Sequence, residues 1–199
     1  MGVAIEVGAH NGSDSTRLAN TYGEVHAFEP APYNLKLLER LNDPRIHIVP
    51  MAVGHYNGRA TFHLDELGDG GCGSLMKFAP NREELWPGRE DLVSTGSIRV
   101  RVTRLDTYMK ANAIDEVDFL HVDAQGADLD VLRGLGELHT HVKAGRVEAA
   151  TKRETALYRG QPLLKDICDW LDQHGFGVIA TERNDQWEHE VNVDFRRAG

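Results

Sequence analysis

The chain has 199 residues and a formal net charge of −9, from 22 Lys and Arg against 31 Asp and Glu. Its 41% hydrophobic and 27% charged residues are typical of a globular protein, and the length suits a single domain over residues 1–199. The acidic balance argues against a nucleic-acid partner, and no apolar run reaches the roughly 20 residues of a membrane helix. Cys72 and Cys168 give neither a disulfide framework nor a thiolate metal site, which favours a reduced, cytoplasmic setting.

The first fifty residues alternate between strand and helix patterns. Strands are predicted over 3–7, 24–29 and 46–49, and helices over 13–22 and 34–42. This β-α-β-α-β order indicates parallel strands joined by helical crossovers.

The middle of the chain is less regular. An alternating segment over 59–65 predicts a half-buried strand, a glycine-rich stretch occupies 68–74, and residues 76–96 show no clear period. A long connection inside a domain often forms a lid or a binding loop, and we expect that role for 66–96. A plain surface excursion is the alternative.

Regular patterns return after residue 96. The predicted strands are 97–103, 117–123, 146–150, 177–182 and 187–195, and the predicted helices are 105–112, 126–135 and 162–174.

A motif with chemical meaning lies where the first predicted strand meets the first helix. Glu6, Gly8 and Gly12 have the spacing Glu-x-Gly-x-x-x-Gly, whereas a dinucleotide site needs Gly-x-Gly-x-x-Gly. Ligands bind outside the carboxyl ends of parallel strands, so this turn is a candidate binding loop. The spacing is similar to the S-adenosylmethionine site of class I methyltransferases. That ligand carries an ammonium and a sulfonium, which a carboxylate attracts. The alternative for Glu6 is a structural acid.

Glu29 supports a nucleoside ligand. It ends the second predicted strand, where a carboxylate can accept hydrogen bonds from both ribose hydroxyls. A nicotinamide cofactor would use the same residue, and a solvated acid is the other alternative. Met51 and Ala52 follow the third strand and could contact an adenine ring, or simply pack in the core.

A series of motifs runs in order along nearly the whole chain. They are Glu6–Gly12 with Asp14, Phe28–Pro30, Val49–Gly54 with Asn57–Gly58, Gly73–Leu75, Leu105–Asp106, Val122–Asp128 with Val131–Gly134, and Tyr158–Pro162. Together they resemble the FkbM-type methyltransferase family. The resemblance implies an α/β, Rossmann-like class I methyltransferase fold: a mostly parallel seven-stranded sheet with the last strand antiparallel and helices on both faces. It also implies methyl transfer from S-adenosylmethionine, commonly to a hydroxyl of a sugar or other natural product.

The resemblance assigns cofactor binding to specific positions. These are Glu6, Gly8, Asn11, Gly12, Asp14, Glu29 and Ala52, to which we add His10 as a loop residue that either contacts the methionine end or faces solvent. Family members usually have helices upstream of the first strand. We therefore expect a trimmed chain, or a cofactor covered by segment 66–96 or by a neighbouring chain, as in a homodimer. His121, where members often carry Lys, and Glu148, at a less apolar strand end, are further departures.

Candidate catalytic residues lie at the end of the fourth strand. Asp123 could orient the acceptor hydroxyl, act as a base or bind a divalent cation, or it could be a structural turn acid. His121 lies two residues earlier on the same face, as a base or a packed core histidine. The candidate acceptor-binding residues, each equally readable as an ordinary surface residue, are Gln125, Lys152, Glu154 and Tyr158. The sequence does not itself support a metal.

The sequence is therefore compatible with three functions. The first is an S-adenosylmethionine-dependent O-methyltransferase acting on a small hydroxylated molecule. The second is a nicotinamide-dependent oxidoreductase on a Rossmann sheet, which lacks the third glycine and a Tyr-x-x-x-Lys pair. The third is a non-catalytic cofactor-binding module. Base methylation of nucleic acid is disfavoured because the segment Asp123–Gly126 lacks the Asp/Asn-Pro-Pro-aromatic signature.

Overall fold

The computed structural model describes residues 2–65 and 69–198. Its larger sheet has seven strands: β1 (Gly2–Val7), β2 (Gly23–Phe28), β3 (Ile46–Val49), β7 (Phe119–Val122), β8 (Ala144–Ala150), β9 (Phe176–Arg183) and β10 (Glu190–Arg197). They are ordered β3-β2-β1-β7-β8-β10-β9. The first five are parallel to one another, and β10 is antiparallel to both β8 and β9. The predicted mostly parallel sheet with an antiparallel last strand is confirmed.

Helices cover both faces of this sheet, as predicted. They are α1 (Ser13–Tyr22), α2 (Pro32–Glu39), α4 (Leu105–Ala111), α5 (Asp128–Arg133) and α6 (Leu164–Gln173), with a short α3 (Arg82–Leu85) in the central segment. Neighbouring strand residues point to opposite faces. Ala4 accordingly packs in a cluster with Leu18 of α1 and Leu38 of α2, whereas Ile5 packs in a cluster with Met109 of α4 and Ile167 of α6.

A second, three-stranded sheet flanks the first. It consists of β4 (Ala52–Val53), β5 (Gly58–Leu64) and β6 (Gly96–Thr103), in the order β4-β6-β5. β5 and β6 pair antiparallel, with Phe62 opposite Ile98. The sequence predicts the two longer strands but not this sheet, because β4 has only two residues and the β5–β6 pairing spans a long connection.

The predicted lid over 66–96 is folded onto the domain where the structure describes it. Residues 66–68 of that prediction lie outside the described residues. Beyond them, backbone hydrogen bonds join Ser74 to His63, and Trp86 and Leu92 are buried in a cluster with Tyr158. The segment therefore has an apolar anchor that its sequence pattern does not reveal.

Several element boundaries differ from prediction for local reasons. The second helix begins at Pro32, whose ring suits a first helical position. The fifth helix begins only at Asp128, because Gly126 has φ +90° and cannot lie within a helix. The last strand begins at Glu190, because the Asp185 carboxylate accepts hydrogen bonds from the Trp187 and Glu190 backbone N–H groups and prolongs the turn. No helix within residues 2–65 and 69–198 has the length and apolar character needed to cross a membrane.

Candidate functional site

A cavity of about 900 Å³, part of it open to solvent, lies at the carboxyl ends of β1, β2 and β7. Ligands of parallel sheets bind at this edge because the loops that follow neighbouring strands converge there. Its lining comes from Glu6–His10, Ser13, Asp14, Phe28–Pro30, Asn34, Met51–Val53, Phe62, Gly70, Gly71, Gly73, Leu75, His121, Asp123–Gln125 and Ala127.

Gly8 lets two strand ends meet at the floor of this cavity. Its φ is +89°, and a Cβ atom there would lie 1.9 Å from the backbone oxygen of Asp123. The Gly8 and Ala9 N–H groups both donate to the Phe28 carbonyl, at 3.0 Å each. The turn after β1 is thereby tied to the ends of β2 and β7, which requires glycine at this position.

Glu29 is buried against the turn that follows β1. Its Oε2 accepts a hydrogen bond from the His10 N–H at 2.9 Å, and its Oε1 accepts one from the Ala31 N–H at 2.7 Å. Burial raises the pKa of Glu29 to about 7. Each carboxylate oxygen has a further lone pair, so the group can still accept hydrogen bonds from a ligand in the cavity.

Glu6 and His121 form a buried polar pair with Asp14 beside them. The Ser15 hydroxyl donates to Glu6 Oε2, and Glu6 Oε1 lies 3.9 Å from His121 Nδ1, which is longer than a hydrogen bond. Among the described residues, His121 Nδ1 has no hydrogen-bond partner. Burial raises the pKa of Glu6. One ligand atom each from Glu6, Asp14 and His121 lie within 4.8 Å of one another, so this group could hold a cation.

The remaining predicted cofactor positions divide into two sets. His10 and Ala52 line the cavity, and His10 Nε2 lies 2.8 Å from the Asp69 backbone oxygen. Asn11 and Gly12 are not among the lining residues. Asn11 is exposed and its Oδ1 accepts the Ser13 N–H at 3.0 Å, which supports the start of α1.

Gly12 has a packing role in this structure. A Cβ atom at Gly12 would lie 2.4 Å from Leu41 and 2.8 Å from Leu38, so the loop packs closely on the end of α2. Gly12 therefore shapes the turn through its packing and does not line the cavity.

Three of the predicted catalytic and acceptor residues form one hydrogen-bond chain. The Tyr158 hydroxyl lies 2.7 Å from Gln125 Oε1, and Gln125 Nε2 donates to Asp123 Oδ1 at 2.6 Å. The Ser74 hydroxyl donates to the Gln125 backbone oxygen at 2.6 Å. Burial raises the pKa of Asp123. Tyr158 itself does not line the cavity, and it reaches Asp123 only through Gln125.

Lys152 and Glu154 lie elsewhere. Both follow β8, and neither lines the cavity. Lys152 lines a separate surface depression with Trp187 and His189, and Glu154 is exposed on the short 3-10 helix Arg153–Thr155. The structure does not bring them together with Asp123, because the chain turns away after the end of β8.

Sequence reasoning missed several cavity residues. Asn34 of α2 is buried, donates through Nδ2 to the Gly70 oxygen at 3.0 Å, and has no partner for Oδ1 among the described residues. Phe62 reaches the cavity from the second sheet. The polar residue at Asn34, on the otherwise leucine-rich face of α2, was the available signal. Phe62 gave none, because its place depends on the unpredicted sheet.

Buried carboxylates extend beyond the cavity lining. Burial and the negative charge of Asp123 raise the pKa of Asp128 to about 8. Burial and Asp123 also raise the pKa of Glu148, and burial raises that of Glu190 to about 7. Glu148 Oε1 accepts a hydrogen bond from Asn184 Nδ2. In the sequence, the position of Glu148 between apolar strand residues already indicates a buried carboxyl.

A protein-family comparison and a comparison with curated proteins give concordant results. The family model described as the methyltransferase FkbM domain matches residues 6–178. The 2-O-methyltransferase NoeI of Sinorhizobium fredii is 28% identical over 188 residues, which cover 89% of this chain and 73% of that protein.

Solved structures of similar fold are also methyltransferases. The FkbM methyltransferase from Methylobacillus flagellatus superposes with a TM-score of 0.61 at 15% identity, over 98% of this chain and 43% of that chain. The magnesium protoporphyrin IX methyltransferase of Synechocystis, solved with bound S-adenosylmethionine, has a TM-score of 0.53 at 12% identity, over 100% of this chain and 70% of its own. The chain thus spans less than half of the first structure. At these identities the likeness concerns the fold.

Proposed function

The chain belongs to the FkbM methyltransferase family, and we propose that it transfers the methyl group of S-adenosylmethionine to a hydroxyl of a small molecule such as a sugar. The observation that carries this proposal is the convergence of three acids, Glu6, Glu29 and Asp123, on one cavity at the carboxyl ends of parallel strands. A nicotinamide cofactor is not favoured, because the family is one of methyltransferases and the diphosphate fingerprint is absent.

The residues at the end of β1 fit the amino-acid part of this cofactor. Glu6 is 1% exposed and Asp14 lies beside it. The buried His121 lines the same cavity, and its Nδ1 has no hydrogen-bond partner in the part of the chain that the structure describes. A buried carboxylate is costly without a partner, and an ammonium group donates hydrogen bonds to carboxylates. In our proposal Glu6 and Asp14 bind the ammonium group. The His121 ring lies beside them, with Nδ1 3.9 Å from Glu6 Oε1.

Residues after β2 and β3 fit the nucleoside part. The Glu29 carboxylate is fixed by two backbone N–H groups and accepts hydrogen bonds from the ribose hydroxyls in our proposal. Met51 and Ala52 provide an apolar wall for the adenine ring, with Phe62 on the same cavity lining. In our proposal Asn34 Oδ1, which has no hydrogen-bond partner among the described residues, accepts a hydrogen bond from the ligand.

The chemical step needs alignment and removal of one proton. S-adenosylmethionine would supply a methyl group bound to a positively charged sulfur, and S-adenosylhomocysteine would leave as this methyl group passes to the acceptor oxygen. In our proposal Asp123 accepts the hydroxyl proton, since burial raises its pKa and so makes its carboxylate a stronger base. Gln125 and Tyr158 hold the Asp123 carboxylate in place as positioning residues. A divalent metal is not required by this scheme.

The class of acceptor rests on one relative and on the site. NoeI is a 2-O-methyltransferase, and this chain covers 73% of it at 28% identity. The proposed base beside the cavity is a carboxylate, Asp123, which agrees with a hydroxyl acceptor that must lose a proton. A homodimer whose second chain covers the cavity also belongs to the proposal, as do the cytoplasmic setting and the absence of nucleic-acid and membrane partners.

Calorimetry and a turnover assay test this function. We expect S-adenosylhomocysteine to bind at one site per chain and NAD to give no heat, with Glu29→Ala weakening binding by roughly 1.5–3 kcal/mol. A panel of hydroxylated sugars and natural products, assayed with methyl-labelled S-adenosylmethionine, then identifies the acceptor. Binding without turnover on any hydroxyl would favour a non-catalytic module. Binding of NAD but not of S-adenosylhomocysteine would overturn the proposal.

A further inference from the structure

We propose that Glu24, His26 and His47 form a binding site for a divalent transition-metal cation of the zinc class, separate from the cavity. The three residues lie on β2 and β3, and none of them lines the cavity at the carboxyl ends of the strands. The site is therefore independent of the methyltransferase proposal.

The sheet register places these side chains together. His26 and His47 are directly paired across the parallel strands β2 and β3. Glu24 lies two residues before His26 on the same strand, so its side chain points to the same face. The backbone thus fixes the spacing of all three groups, without any loop.

The distances match a metal coordination shell. Glu24 Oε1 lies 3.2 Å from His26 Nε2 and 3.2 Å from His47 Nε2. The three ligand atoms are all within 4.8 Å of one another. In a tetrahedral zinc site with bonds of about 2.0–2.2 Å, neighbouring ligand atoms are about 3.3–3.6 Å apart. Two of the three distances among these ligand atoms are therefore already close to those of a zinc site.

A second contact orients the buried ligand. His26 Nδ1 lies 2.9 Å from the Tyr108 hydroxyl, and the two rings pack edge to face. Metal-binding histidines usually donate their second ring N–H to an oxygen acceptor. With the metal on Nε2, His26 carries its proton on Nδ1 and donates it to the Tyr108 oxygen.

The site is open on one side. His26 is 6% exposed, whereas the side chains of His47 and Glu24 are 50% and 44% exposed. A cation can reach the group from solvent, and water can fill its fourth position. Because His47 and Glu24 are half exposed, their replacement leaves the core intact.

Titration calorimetry with Zn²⁺ on the protein without a polyhistidine tag tests the site. We expect one equivalent of zinc to bind. His47→Ala and Glu24→Gln should each weaken zinc binding by at least about tenfold. Tyr108→Phe should weaken it to a similar extent, because it removes the contact that orients His26. Co²⁺ in place of zinc should give the visible absorption of a tetrahedral site, and His47→Ala should abolish it. His55→Ala is the matched control, since His55 is an exposed histidine paired with Asp130 at 3.1 Å.

One further variant tests whether zinc binds instead at another group of residues. Among the described residues, Glu6, Asp14 and His121 are the other group that could hold a cation. Asp14→Asn should leave zinc affinity unchanged. Absence of zinc binding, wild-type affinity in both His47→Ala and Glu24→Gln, or loss of binding in Asp14→Asn would each overturn the proposal. None of these readouts depends on methyl transfer, so the outcome is separate from that of the proposed function.

Discussion

Glu6 and His121 face each other across two adjacent parallel strands, with their Cα atoms in direct register and 3.9 Å between Oε1 and Nδ1. Both residues are buried, at 1% and 8% exposure, so neither side chain can turn to solvent. Burial raises the pKa of Glu6, which means that its charged form costs folding free energy. A polar pair held at such a cost at a cavity is typical of a binding site.

Replacing Glu6 by Gln keeps the size of the side chain and removes its charge. We expect the affinity for S-adenosylhomocysteine to fall by about tenfold or more, since hydrogen bonds to a charged group contribute roughly 1.5–3 kcal/mol. The free energy of unfolding, from urea titration, should stay within about 1 kcal/mol of the wild-type value or increase, because the buried charge is gone. Glu39→Gln on the exposed side of α2 is the control. Equal affinities in both variants would remove Glu6 from the site.

The affinity for S-adenosylhomocysteine should depend on pH through Glu29. The pKa of this carboxyl is about 7, and the ionised form is the better acceptor for ribose hydroxyls. We therefore expect the affinity to increase as the pH rises from about 6 to about 8, with the dependence greatly reduced in Glu29→Gln. Calorimetry at several pH values measures this. An identical pH profile in the two proteins would contradict the assignment.

The same carboxyl should also affect stability, in the opposite direction. Its folded-state pKa of about 7 lies above the ordinary value of 4.5, so the neutral form stabilises the fold. This stabilisation is complete below pH 4.5 and is lost as the pH rises through about 7. The difference corresponds to roughly 3 kcal/mol in the free energy of unfolding. Urea titrations of the wild type and Glu29→Gln should converge at low pH and separate at high pH, with the variant more stable there.

Replacing Asp123 should affect the chemical step and not the binding of S-adenosylhomocysteine. Once an acceptor is known, Asp123→Asn should lower kcat by about 10²–10⁴ and leave S-adenosylhomocysteine affinity within a few-fold, because a base acts only in the chemical step. Tyr158→Phe keeps the packing and removes the contact with Gln125, so a smaller fall in kcat and a shifted pH profile are expected. If Asp123→Asn retains full activity, another group removes the proton.

Gly8→Ala tests the meeting of the strand ends. A Cβ atom there would lie 1.9 Å from the Asp123 oxygen, and the residue has a positive φ, so we expect a loss of several kcal/mol in stability, or no folded protein. Gly96→Ala has no atom within 4 Å of its new Cβ and should change stability by less than about 0.5 kcal/mol. Urea titration compares the two. A folded Gly8→Ala of wild-type stability would mean that β1 and β7 can separate at this point.

The sequence predicted β1, β2 and β3 because these strands are short apolar runs that end at or near a glycine or a proline. β3 is confirmed over Ile46–Val49, and β1 and β2 agree to within a residue at each end. The second sheet was missed because it depends on pairing between β5 and β6 across more than thirty residues. No local periodicity encodes such pairing.

The predicted site residues also divide into those placed by strand ends and those that depend on the longer path of the chain. Glu6, Glu29 and Asp123 follow strand ends, and parallel strands bring those ends to one edge. Lys152 and Glu154 depend on the path of the chain after β8, and they lie outside the cavity. Whether the lining residues bind the cofactor remains a prediction.

The position of β10 has a consequence for synthesis on the ribosome. β8 and β9 precede β10 along the chain, yet in the finished sheet each pairs with β10 and not with the other. Until β10 has left the exit tunnel, one long side of β8 presents unpaired backbone groups, and β9 has no strand beside it. The nascent protein therefore exposes an unpaired strand edge until β10 inserts between β8 and β9.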